Sequence, residues 1–149
     1  MASTRQLRIT FLFALVMLVA EFLLGMAVNL FVTIPDQHPG ANPPEYFSGV
    51  VRSVTWAVLQ GPLLLQLHAA FGLVLVAGSV YLLVQGIATR HGGLITATVF
   101  GWVGTVGAGF NGGSFLNYHE DFSSMLMATG FPVATIAYVF TLYLSLVRR

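Results

Sequence analysis

Four long apolar runs, at about 8–34, 62–88, 94–109 and 122–147, organise the chain, and between them lie short stretches rich in Gly, Pro and polar residues. Each run is read as a helix long enough to cross about 30 Å of hydrocarbon, because a helix satisfies its own backbone where no water is available. Pro35, Pro39, Pro43 and Pro44 close the first run, since proline cannot continue a helix. Within the long connection that follows, 45–60 carries Tyr46, Phe47, Val50, Val51, Val54 and Trp56 at spacings that give a short helix one apolar side. The remaining connections are short, which favours antiparallel neighbours. The expectation is an all-α integral membrane four-helix bundle, one domain over 1–149, with a long extracytoplasmic loop carrying a short interfacial helix and a second outer loop over 111–121.

Composition makes a membrane the natural solvent: 149 residues are 56% hydrophobic and only 7% charged, too little charge to clothe a soluble domain. With no cysteine, disulfides and thiolate chemistry are excluded, and with no lysine and a net charge of +1 nothing tracks a nucleic-acid backbone. Arg5 and Arg8 before an apolar run imitate a signal peptide, but the run is too long and lacks a small-residue cleavage site, so it reads as a retained span. Arg5, Arg8, Arg90, Arg148 and Arg149 fall on one side of this topology and only Arg52 on the other. By the positive-inside rule both termini are expected in the cytoplasm, and small size with this charge pattern points to a bacterial cytoplasmic membrane.

The polar residues inside the runs carry the candidate chemistry. Glu21 lies about 20 Å above Arg8, near the midplane, where an ionised carboxylate costs a few kcal/mol or more, so it is expected to be protonated or paired and is a candidate proton relay. Asn29, His68 and Asn111 each fall about 32 Å from the arginine level, with Met125 and Met127 within a turn of it, which suggests a polar site near the outer surface. His68 is the residue there best suited to ligate a metal or carry a proton. His119, together with His38 of the other outer loop, is positioned to approach it from above. The plain alternative for all of these is interhelical hydrogen bonding, worth about 0.6 kcal/mol each. Gly101, Gly104, Gly107, Ala108, Gly109 and Gly112 form a small-residue strip, expected to pack a neighbouring helix closely, or else to clear space for a flat cofactor.

No Walker lysine loop, GxSxG elbow, HExxH helix or EF-hand loop occurs. A bundle with sparse His and Met is a plausible host for b-type haem, whose iron takes His or His/Met ligation. The segment His68, Ala69, Ala70, Phe71, Gly72 resembles the His-containing helices of small membrane b-type cytochromes of the cytochrome b561 and haem A synthase families. That resemblance implies haem b with His68 as first ligand; by depth along the helices the second would be His119, Met125 or Met127, and Glu21 is a candidate to bind the hydroxyl of a quinone, the expected partner being a quinone or another electron-transfer partner. The expected function is a haem-binding or related redox membrane protein. The alternatives are a small proton-coupled transporter or ion-binding oligomer using Glu21, and a structural subunit that binds a membrane partner through its glycine strip.

Overall fold

The computed structural model describes residues 4–147. It has five helices: α1 (Thr4–Phe31), α2 (Tyr46–Leu59), α3 (Leu63–Ala88), α4 (Gly92–Tyr118) and α5 (Asp121–Val147). All but α2 are long and apolar enough to cross a membrane. Large apolar side chains point outward along them, Phe13, Phe31, Val74, Val103 and Ile136 among the most exposed, while the interior holds Ser79, Thr98, Thr105, Thr141 and Ser145. This inversion suits lipid, where outward apolar groups lose nothing and inward hydroxyls bond their own helix carbonyls. Thr98 gives its proton to Leu94 O at 2.9 Å, Thr105 to Gly101 O at 2.9 Å and Thr141 to Ala137 O at 2.9 Å.

The four long helices form a closed ring in which α1 packs on α3, α3 on α4, α4 on α5 and α5 back on α1, with no close backbone approach across the diagonals among the described residues. Every neighbour is antiparallel. Gly25 lies opposite His68 and Gly72 opposite Glu21, while Gly86 meets Thr98 and Gly109 meets Val76. Around the rest of the ring, Gly101 meets Tyr138 and Gly112 meets Met127, and Phe11 and Phe22 of α1 contact Tyr138 and Phe131 of α5. Arg8 closes this last seam: its Nη2 and Nε donate to Ser145 O at 2.6 and 3.1 Å, satisfying a carbonyl at the negative end of α5.

The small-residue strip brings α4 and α5 into close packing. A Cβ added to Gly104 would sit 2.7 Å from Ala134 N and 2.8 Å from Gly130 O, and one added to Gly130 would sit 2.8 Å from Ala108 Cβ, so α4 and α5 meet backbone to backbone. Gly101 is filled by the ring of Tyr138, whereas Gly107 faces open space.

The third span extends nine residues beyond the expected end at 109. Residues 111–118 are the last two turns of α4 rather than a loop, and only His119 and Glu120 connect it to α5. The cause is α2, which lies against α3 and α4 and pairs with that polar stretch. Ser53 donates to Asn117 Oδ1 at 2.8 Å, Asn117 Nδ2 donates to Tyr46 O at 3.2 Å, and Tyr46 OH shares a 2.5 Å hydrogen bond with Ser114 Oγ. Gly113 is where Val50 of α2 fits, a Cβ there standing 2.9 Å from Val50 Cγ1. Polar and glycine residues that read as a loop are therefore the docking face of a helix. The helix expected over 45–60 is present, capped by Glu45, whose carboxylate accepts from Ser48 N at 2.7 Å and Phe47 N at 2.9 Å. Those two amides, Ser48 first, hold the Glu45 carboxyl below its ordinary value.

Candidate functional site

Glu21 of α1 and His68 of α3 meet inside the ring, with Oε1 2.9 Å from Nδ1. Helical spacing places each beside a glycine one turn further along its own helix, Gly25 after Glu21 and Gly72 after His68. Because the helices are antiparallel, each glycine faces the other helix's polar residue. A Cβ on Gly25 would stand 3.1 Å from His68 Cε1, and a Cβ on Gly72 would stand 2.9 Å from Glu21 Oε1. The paired sequences Glu-x-x-x-Gly and His-x-x-x-Gly thus make a reciprocal seat in which the absent side chain of one helix is the space for the polar side chain of the other.

The pair lies between two apolar clusters. Toward the N-terminal end, Leu7, Phe11, Ala14, Leu18, Leu82, Leu94, Ala134 and Tyr138 pack together; toward the α2 end, Val28, Ala57, Leu65 and Leu116 do so. A carboxylate in such surroundings requires a partner, and the imidazole is one. The contact is at ion-pair distance without hydrogen-bond alignment, and Glu21 Oε2 is buried with no partner among the described residues. Side-chain exposures are 16% for Glu21 and 21% for His68, while Glu21 Oε2 and His68 Nδ1 are themselves buried. Below it, between α1 and α3, a cavity of about 270 Å³ is walled by residues such as Phe13, Met17, Leu18, Leu75 and Leu82. Its surface is almost wholly apolar.

The other residues expected at this level go elsewhere. Asn29 is exposed on α1, and Asn111 donates to Gly107 O of its own helix at 2.8 Å. Met125 is exposed, and Met127 lies near Gly112, whose added Cβ would stand 3.2 Å from its sulfur. His119 joins His38, the two ring centroids 5.8 Å apart, and the His38 ring stacks on Trp56 at 4.3 Å. No group of three or more His, Cys, Asp or Glu able to hold a metal occurs among the described residues. His91 accepts from Leu94 N at 3.4 Å as the N-cap of α4.

Gly25 and Gly72 were not singled out from the sequence, although the signal is there: each stands four residues after an intramembrane ionisable residue. The fold and the site define an α-helical integral membrane protein with a carboxylate–imidazole pair between two of its spans. The chain matches no protein-family model, no curated protein and no solved structure.

Proposed function

We propose that this chain is a small proton-coupled membrane protein in which Glu21 and His68 bind and release a proton within the bilayer. The observation that carries the reading is the 2.9 Å contact between Glu21 Oε1 and His68 Nδ1, made by two groups seated on reciprocal glycines. Intramembrane ionisable residues are rare and mark proton or ion pathways, and imidazole is the side chain whose ordinary titration lies nearest neutrality. A proton moving from the carboxyl to the ring leaves a carboxylate beside an imidazolium, and the return transfer restores two neutral groups. The unpartnered Oε2 is the position where a water or a coupled solute would accept or deliver that proton. Four spans form one compact ring, so coupling to transport calls for a second copy or a partner subunit. The orientation that fits the arginines has both termini in the cytoplasm of a bacterial cell, with α2 on the outer side.

Haem binding is the second reading, and one observation favours it: the Glu21 carboxyl lies 2.9 Å from His68 Nδ1, where a hydrogen bond would orient a metal-ligating histidine and leave Nε2 for iron. His68 fits as one axial ligand. The site around it supplies no second, because Met125 faces outward, Met127 lies by Gly112 and His119 lies against His38. The proton-coupled reading therefore leads.

The test is a proton-flux assay in proteoliposomes with a pH-sensitive dye inside and an imposed pH step. The reading expects flux above that of empty vesicles, lost in both Glu21→Gln and His68→Gln at unchanged insertion. Flux that survives both substitutions would remove it, and a Soret band that disappears in His68→Ala would put the haem reading in its place.

A further inference from the structure

We propose that His38 and His119 form a metal site for a divalent, imidazole-preferring transition ion at the α2 end of the molecule. The inference is independent of the Glu21–His68 reading and involves neither residue.

The two imidazoles come from segments far apart in sequence and are held by separate devices. His38 lies in the proline-rich connection, where Ala41 N donates to His38 O at 3.0 Å and Asn42 N donates to Asn117 O at 2.7 Å, tying the connection to α4. Its ring stacks flat on Trp56, 13° from parallel. His119 ends α4 in the left-handed region at φ 54°, its N–H donating to Phe115 O at 2.8 Å and its ring against the Phe115 ring at 5.7 Å. A non-glycine residue in that region is uncommon, although histidine tolerates it better than most, and here it turns the imidazole back toward the connection. Aromatic packing on both rings limits their rotation.

The nitrogens are arranged for ligation. His38 Nδ1 lies 3.2 Å from Pro39 O, and since a carbonyl only accepts, Nδ1 carries the proton and Nε2 presents a lone pair. His38 Nε2 is buried and has no hydrogen-bond partner among the described residues, and the same holds for His119 Nε2. Two buried imidazole nitrogens without partners in adjacent rings ask for something between them. Metal–nitrogen bonds of about 2.0–2.1 Å place the centroids of two rings on one ion roughly 5 to 6.5 Å apart, depending on the angle at the metal. The observed separation is 5.8 Å with the rings 66° apart. Asp36 and Glu120, two residues before one histidine and directly after the other, are exposed and add negative charge to this end. Two protein ligands leave the remaining positions to water, which suits an exchangeable ion rather than a permanently structural one.

Zinc is the probe, titrated into the full chain in mild detergent and a non-coordinating buffer against a chromophoric chelator. One zinc per chain is expected, and His38→Gln and His119→Gln should each weaken it by at least the roughly 10- to 100-fold that loss of a mere outer-sphere partner costs, while His68→Gln leaves it unchanged. X-ray absorption of the zinc-loaded wild type, which needs no substitution, should show two imidazole nitrogens at about 2.0–2.1 Å. Absence of saturable binding overturns the proposal, as does binding that ignores both substitutions or a metal shell without imidazole.

Discussion

The α4–α5 seam and the α1–α3 seam both rest on glycine, yet they use it for different ends. At α4–α5 the missing side chains bring backbone against backbone: Gly104 faces Gly130 O and Ala134 N, atoms that cannot move without moving a helix. At α1–α3 the missing side chains make room for polar groups, Gly72 for the Glu21 carboxylate and Gly25 for the His68 ring. The first seam lets two backbones approach, and the second seats two polar side chains. A methyl group added to each therefore distinguishes them, because a side chain can yield where a backbone cannot.

The largest loss is expected from Gly104→Ala. Its methyl group would fall within 2.8 Å of two backbone atoms of α5, so overpacking should destabilise by about 3 kcal/mol, toward the upper end of the range for core insertions. Thermal unfolding in detergent reads this directly. Asn117→Leu should follow at about 2 kcal/mol, since it leaves the Ser53 hydroxyl and the Tyr46 carbonyl without their partner inside the α2–α4 contact. Limited proteolysis of the connection around 36–60 should accelerate in that variant while the four long helices persist.

Gly72→Ala sharpens the contrast from the other side. The Glu21 carboxylate can swing away, and alanine favours the helix by up to about 1 kcal/mol over glycine, so stability should change little. Proton flux should nevertheless fall, because the Glu21 Oε1–His68 Nδ1 distance opens. A Gly72→Ala protein as unstable as Gly104→Ala would erase the distinction between the seams.

The smallest effect concerns the Glu45 cap. Its carboxyl is held below the ordinary value by the Ser48 and Phe47 amides, so the cap contributes stability above the unfolded-state value and loses it as pH falls through the lower, folded one. Hydrogen-exchange protection at Phe47 and Ser48, relative to the intrinsic rate at each pH, should therefore fall on acidification below the ordinary carboxyl range. In Glu45→Gln it should show much less of that pH dependence.

The four long apolar helices were legible because a long run of apolar residues in a chain with so little charge reads as a helix able to cross a membrane. The end of α4 was not. Asn111, Gly112, Gly113, Ser114 and Asn117 have the composition of a loop, yet Gly113, Ser114 and Asn117 form the face on which α2 docks, and Gly112 meets Met127 of α5. Propensity is local, whereas docking is not. Glu21 and His68 were each visible as intramembrane ionisable residues, but depth counted along single helices put His68 level with Asn29. It lies opposite Gly25, one turn closer to Glu21, because register between antiparallel helices is set by which side chains interlock. Likewise, the spacing of Asn29 and Asn111 said nothing of the direction in which each points.

The central claim is that Glu21 and His68 act as one proton-binding unit, and pH-difference infrared spectroscopy of the reconstituted protein tests it most directly. The account predicts a carboxyl signal that disappears in Glu21→Gln and shifts, in frequency and in the pH at which it appears, in His68→Gln. A Glu21 signal that His68→Gln leaves unchanged in both respects would show two independent groups and contradict the account.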